Sequence, residues 1–357
     1  MKALVCENWC QFHELEIKDI PSPALPEKSV RIAVDSAGVS FAASLWVQGK
    51  YQRKPPLPFT PGTECTGTVL EVSPGVTRVK PGDRVMATLD WGGMAEEAIA
   101  SEVCVFPAPK NISLAEAVSL PTSYATAYAS LIWNAKLEAG ETLLVFGAAG
   151  AVGLAAVQIG KAMGCAVIAC ASTEEKLNAL RQAGADKVVN YTTENTRDKV
   201  MSFTNGKGVN VVFDPVGGEA FKTGLRSVAQ EGRIVIIGFT SGDIPSIPAN
   251  ILMVKNVSVR GFNYGKYIGW GLTDEREKHA DLVASWNAQL TRWCEQEVIK
   301  PTLHEAMPLE NFRGAMELIL GRRVIGKVVL QPNAQHSNPG ETAADPADQF
   351  NLDDFYN

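Results

Sequence analysis

A chain of 357 residues has room for two domains. Its 46% apolar and 20% charged residues are ordinary for a globular protein in water. A net charge of −6 argues against nucleic acid or an anionic membrane as the main partner.

The chain opens with no expected secretory leader, because Glu7 falls where its apolar core would lie. Residues 1–121 read as all-β. Short alternating runs at 3–6, 29–36, 67–72 and 84–89 are separated by the turn signals Pro61-Gly62, Pro74-Gly75 and Pro81-Gly82-Asp83. Such spacing predicts a small barrel or sandwich. Within it, residues 36–51 predict a loop entering a short helix that carries Trp46 and Tyr51. Ser113 and Glu116 form a capping-box pattern at a junction, and residues 122–133 predict a further helix.

Residues 143–179 are the stretch around which the chain is organised. An apolar strand (143–146) meets the cluster Gly147, Gly150, Gly153, then a helical pattern (154–163) and a second apolar strand (166–171). This is the βαβ unit whose Gly-rich turn sets a pyrophosphate on a helix N-terminus. One glycine allows the turn, one lets backbone approach phosphate, and one lets helix and strand pack closely. Ala149, Gly150, Ala151, Val152 and Gly153 are the expected contacts. The uncharged run 142–160 has the length of a membrane span, but its glycines and Gln158 favour strand, turn and helix.

Alternation then continues. Helices are predicted at 173–183, 197–204 and 219–229, and strands at 187–190, 209–213, 233–238 and 257–261, giving a doubly wound parallel sheet. An aromatic loop (262–270), helices at 275–297 and 312–320, and a last strand at 327–330 complete the folded part. Residues 332–357 read as a disordered acidic tail. The seven cysteines show no CxxC, which fits reduced thiols in a cytoplasmic protein. The four histidines cluster neither together nor with cysteine, so no metal site is expected.

Several segments together carry a family resemblance: PPLPFTPGTECTG (55–67), 82–85, 92–96, LPTSYATAY (120–128), 145–158, 183–191 and 326–330. On them the chain resembles the zinc-independent NADPH:quinone oxidoreductases of the medium-chain dehydrogenase/reductase superfamily. The resemblance implies an α/β protein with a GroES-like β-rich catalytic domain and a Rossmann domain inserted into it. The expected division is 1–121, 122–261 as the NADPH-binding domain, 262–331 returning to the first domain, and the tail. It also implies a homodimer.

Cofactor choice is read at the end of the second strand. NAD binders place Asp or Glu about 20 residues after the glycines to hold both ribose hydroxyls. Here Ala171, Ser172 and Thr173 leave room for a 2′-phosphate, and Lys176 lies one turn on. The resemblance gives the same task to Ser172, Lys176 and Tyr191, so NADPH is expected. Ser172 and Glu175 also fit a capping box, which is the competing reading. By resemblance Thr126 lies beside the cofactor, Phe239, Thr240 and Phe262 flank the nicotinamide, and Lys327 belongs to a matching GK segment.

Zinc-dependent relatives have a Cys in the loop matching 38–43 and a His where Thr63 stands. This chain has neither. Without a Lewis acid an alkoxide is poorly stabilised, which leaves hydride delivery to an acceptor already electrophilic: a quinone or an enone. The aromatics Trp46, Trp91, Tyr264, Tyr267 and Trp270 suggest a small planar apolar acceptor. Ser40 and Tyr51 are the candidate catalytic hydroxyls, because Ala43 stands where relatives have Asp. The alternatives are an enoyl-thioester or polyketide enoyl reductase, and a non-catalytic NADPH-binding sensor or structural protein.

Overall fold

The computed structural model describes residues 1–333. Two sheets carry the fold. The first is centred on Ser29–Val39, which runs antiparallel to Glu64–Val72, Glu97–Ser101 and Lys327–Gln331. Arg84–Thr88 and Val105–Pro107 extend it on one side. Leu303–Pro308, parallel to Lys327–Gln331, extends it on the other. This sheet therefore holds strands from both ends of the chain. Its core joins Ile32, Val34, Val85 and Leu89 to Phe312, Val328 and Leu330. Lys2–Val5 and Glu16–Asp19 form a separate antiparallel pair.

The second sheet has six parallel strands in the order Lys187–Asn190, Ala166–Ala171, Thr142–Val145, Val209–Asp214, Val228–Ile236, Ser258–Gly261. From Thr142–Val145 the next two strands are added outward on one side and the later three on the other, so the sheet is doubly wound. Successive side chains alternate faces. Leu143, Val145 and Val167 meet Leu154 and Ile159 of the helix Ala151–Ala162, while Leu144, Ile168 and Val212 meet Phe221 and Leu225 of the helix Gly218–Ser227. With both faces covered, these strands read as continuous apolar runs. The long helix Arg276–Glu295 shares a core with Ala151–Ala162, Val103 and Phe106, and so seals the seam between the two sheets.

Ser113 and Glu116 do form the predicted capping box, with Ser113 N–H donating to Glu116 Oε2 at 2.9 Å. The helix expected over 122–133 is instead one α-turn, Ala125–Tyr128, between the π-turns Leu120–Tyr124 and Ala129–Asn134. Apolar spacing does not separate bonds to i−5 from bonds to i−4, so the pattern hid the wider turns. The strand Val228–Ile236 begins earlier than expected, because its polar stretch through Glu231 (φ 61°) resembles a loop. The helix Ala249–Lys255 has no buried residue, hence no amphipathic signal to find. Of the expected tail only Pro332 and Asn333 are described; the rest lies outside the described residues.

Candidate functional site

The carboxyl ends of the parallel strands face the edge of the first sheet. After Thr142–Val145 the chain turns at Gly147, whose φ of 54° favours glycine. A Cβ on Gly153 would stand 2.7 Å from Ala148 Cα, so helix Ala151–Ala162 approaches the turn only because that position is bare. Gly150 is different. It is exposed, and a Cβ there would meet nothing closer than Gly147 O at 3.6 Å. The fold does not require glycine at Gly150, and the open space there leaves its backbone accessible. The amides of Ala151, Val152 and Gly153 open the helix and have no partner one turn back, which favours an anion. Gly326 N–H donates to Ala149 O at 2.9 Å, and Gly150 and Gly326 form a parallel bridge. The last strand of the first sheet is thereby stitched to the glycine turn.

The second strand end removes the competing capping reading of Ser172. The helix Glu174–Gln182 is capped by Thr173, whose Oγ1 accepts from Lys176 N–H at 3.3 Å, and not by the Ser172–Glu175 box. One residue separates the two registers, and Ser172 and Thr173 are both good caps, so spacing alone left the capping box open as an alternative. Ser172 is left outside the helix. Tyr191 N–H bonds Ala171 O at 3.2 Å and Thr192 Oγ1 bonds Ser172 O at 3.3 Å, which brings Tyr191, half-exposed, beside Ser172. Lys176 Nζ donates to the Arg322 carbonyl. Burial holds the Lys176 ammonium below the usual lysine range; Glu175 opposes this and the Arg322 charge adds to it. Glu174 is engaged by Arg181 at 2.6 Å. A lysine and an arginine thus gather at the strand end, where Glu174 is turned to Arg181. Arg322 was missed by sequence reasoning, since nothing links Arg322-Arg323 to a lysine 146 positions away.

The other expected residues fall around the same strand ends. Thr126 sits half-buried on the α-turn against helix Ala151–Ala162. Thr240 N–H and Oγ1 both donate to Pro215 O at 3.1 Å, and Phe239 packs on Gly217. Phe262 is buried, its ring stacked on Tyr267 at 5.8 Å. The Pro215–Gly217 turn is held by Asp214, a fully buried carboxylate whose Oδ1 accepts from Val216 N–H (2.8 Å) and Gly217 N–H (3.0 Å). Burial pushes its carboxyl up, against those two bonds. In the sequence Asp214 is only the residue that follows the expected strand 209–213.

Across the seam lies a pocket lined by Gly38, Ser40, Ala43, Trp46, Phe59, Pro61, Gly62, Thr63 and Trp91. Ser40 precedes the helix Phe41–Val47 but makes no side-chain cap bond, so its hydroxyl is not spent on the helix. Tyr51 stacks on Trp46, ring centroids 5.0 Å apart, and Trp270 meets the same indole edge-on at 6.4 Å. Arg53 lies over the Trp91 ring at 5.3 Å and bonds Asp90 at 2.6 Å. Asp90 also receives Arg276 at 2.7 Å, and Arg276 bonds Asp274.

Behind the pocket Lys327 and Glu64 form an ion pair, both side chains more than nine-tenths buried. A Cβ on Gly38 would fall 2.7 Å from the Glu64 carboxyl carbon, so the bare strand makes room for the pair. The seat of Lys327 is thus beneath the pocket, while its neighbour Gly326 holds the glycine turn. Among the described residues no three His, Cys, Asp or Glu side chains gather to hold a metal ion. With hydroxyls at Ser40 and Thr63, and Glu64 already neutralised by Lys327, this donor set does not fit zinc.

The comparisons agree with this geometry. The family described as "Alcohol dehydrogenase GroES-like domain" matches residues 26–110, and "Zinc-binding dehydrogenase" matches 151–285. The rat protein "Quinone oxidoreductase-like protein 2" is 39% identical over 332 residues, covering 92% of this chain and 91% of the rat protein. Human "Quinone oxidoreductase" is 31% identical over 314 residues, covering 87% and 92%. The crystal structure of Escherichia coli quinone oxidoreductase complexed with NADPH superposes with a TM-score of 0.83 at 27% identity, covering 93% of this chain and 100% of that one. The chain belongs to the quinone oxidoreductase family of the medium-chain dehydrogenase/reductase superfamily.

Proposed function

We propose that the protein is an NADPH-dependent reductase that transfers hydride, without a metal, to a quinone or an α,β-unsaturated carbonyl. The observation that carries this reading is a pocket walled by Trp46, Phe59 and Trp91, with hydroxyls at Ser40 and Thr63, set across the seam from the glycine turn. NADPH, when bound, supplies the hydride. The amides of Ala151, Val152 and Gly153 hold its pyrophosphate, and Ser172, Lys176, Tyr191 and Arg322 hold the 2′-phosphate. Thr126, Phe239, Thr240 and Phe262 border the nicotinamide end. The indoles stack a planar acceptor and exclude water. Ser40 Oγ donates a hydrogen bond to the acceptor oxygen as negative charge develops there. Tyr51 is the second hydroxyl; its place against Trp46 suits a wall residue, and Tyr51→Phe with unchanged turnover would remove it as a proton donor.

The rim favours an uncharged acceptor. Arg53 and Arg276 are balanced by Asp90 and Asp274, two charges of each sign. A phosphorylated acyl carrier would be better served by a net basic rim, which weighs against the enoyl-thioester alternative. The deciding experiment runs a panel of quinones, enones and enoyl thioesters with NADPH and NADH in parallel. Oxidation of NADPH by quinones or enones supports the proposal. Tight NADPH binding with no turnover on any acceptor would overturn it in favour of a sensor.

The proposed functional units are 1–121 with 262–331 for the acceptor and 122–261 for the cofactor. The proposed assembly is a homodimer paired along the edge strand Ser258–Gly261. Exposed Ile244, Ile247, Met253 and Val254 in the segment just before that edge support it. We assign the protein to the cytoplasm, in keeping with seven free cysteines. No helix among the described residues is long and apolar enough to cross a membrane.

A further inference from the structure

We propose that Cys6 and Cys10 are a reversible disulfide site, a two-electron oxidation point at the foot of the acceptor pocket. Six of the seven cysteines are buried, and Cys10 alone is partly exposed. Cys6 ends the first strand region, where it exchanges backbone bonds with Phe59 (2.8 and 3.1 Å). Glu7, Asn8 and Trp9 then form a short exposed bend that brings the chain back to Cys10. Both cysteines converge on one carbonyl: Cys10 N–H donates to Val47 O at 3.0 Å, and Cys6 Sγ lies 3.9 Å from the same oxygen. Cys6 Sγ also reaches Asn8 O at 3.1 Å, within the bend that joins it to Cys10.

The two partners differ in a way that orders the chemistry. Burial pushes the Cys6 thiol up to about 12, and raises Cys10 as well, with Glu14 adding to the rise. Both are therefore thiols at rest, and the exposed one is where an oxidant enters. With hydrogen peroxide, Cys10 gives up its proton as its sulfur attacks one peroxide oxygen, the O–O bond breaks, and that proton joins the departing hydroxide, so the products are Cys10 sulfenic acid and water. Cys6 sulfur then attacks the Cys10 sulfur, its proton leaves with the hydroxyl as a second water, and the S–S bond forms. Two thiols lose two electrons and two protons in all, and one peroxide becomes two waters. A dithiol reductant reverses the step by exchange.

The position gives this bond a consequence. Val47 ends the helix that carries Ala43 and Trp46, and Phe59 is itself a pocket wall. Trp9, in the bend between the thiols, packs its ring 6.2 Å from that of Phe59 and covers Gly49. Closing the disulfide tightens the bend that seats Trp9, so the oxidised protein has an altered acceptor wall and an unaltered glycine turn.

The test treats the full chain with hydrogen peroxide and maps non-reduced peptides by mass spectrometry. The expected result is a dominant Cys6–Cys10 link, with the mass of two hydrogens lost per chain and regained with dithiothreitol. Cys10→Ser should show neither change. Peroxide converting Cys10 to a sulfinic acid while Cys6 remains a thiol, or linking other cysteines, would overturn the proposal. The mapping on the unsubstituted chain needs no variant to fold. It also reads independently of reductase activity, so its failure is distinct from a failure of the proposed function.

Discussion

Replacing Lys176 with alanine should separate the two nicotinamide dinucleotides. The ammonium has three donors, and the Arg322 carbonyl takes one of them. The other two remain for a 2′-phosphate, on a side chain already held in place. One charge-assisted hydrogen bond is worth roughly 1.5–3 kcal/mol, so Lys176→Ala should weaken NADPH about tenfold to hundredfold. NADH has no phosphate there and should bind nearly as before. The fold should tolerate the change to within about 0.5 kcal/mol, because Arg322 is exposed and water can replace the ammonium at its carbonyl. Fluorescence titration of both cofactors at several salt concentrations is the measurement. The NADPH advantage of the unsubstituted chain should shrink with added salt, as a partly exposed charge pair requires. Arg322→Ala should act in the same direction. An equal loss for NADPH and NADH, or no loss for either, would refute the assignment of this corner to the phosphate.

Three other contacts set measurable outcomes. Glu64→Gln leaves the Lys327 ammonium buried without a counter-charge and should cost about 3–5 kcal/mol in urea unfolding, much of it recovered when Lys327→Met is added. Gly153→Ala drives a methyl against backbone at 2.7 Å and should cost about 1–3 kcal/mol, with a loss of cofactor affinity that Gly160→Ala, remote from the turn, does not share. The raised Asp214 carboxyl takes up its proton in the folded state before the unfolded state does. Its burial penalty is therefore present at neutral pH and relieved as pH falls through the folded pKa toward about 3.9, the ordinary Asp value. The melting temperature of the unsubstituted chain relative to Asp214→Asn should accordingly rise over that acid range; a flat difference would mean that Asp214 is not held up by burial.

The glycine turn and the strand ends of the proposed cofactor half were legible in the sequence because their geometry is local. Gly147 and Gly153 each answer to a demand arising within the turn itself, a positive φ and a close approach to Ala148, and Ser172 follows from the end of one strand. Boundaries failed where two chemically equal signals competed. Thr173 won the cap from Ser172 by a shift of one residue, which spacing cannot weigh. Asp214 and Arg322 were not legible for another reason. The work of Asp214 is visible only once the Pro215–Gly217 turn folds back on it, and that of Arg322 only once two distant segments meet.

The proposed acceptor half is assembled from segments that share no local rule. Trp46 comes from the helix Phe41–Val47, Phe59 and Thr63 from one Pro/Gly-rich stretch and Trp91 from a third segment, and the rim closes through Asp90, which takes Arg53 from 37 residues away and Arg276 from 186. One carboxylate therefore ties the Arg53 loop to the start of the helix that seals the seam. The two halves meet at Gly326–Lys327, where the backbone bridges the glycine turn and the side chain neutralises Glu64 beneath the pocket. On the proposed reading, substitutions at Trp46 or Trp91 reshape the acceptor wall, whereas a change at Lys327 strands the buried Glu64 beside the backbone that holds the glycine turn.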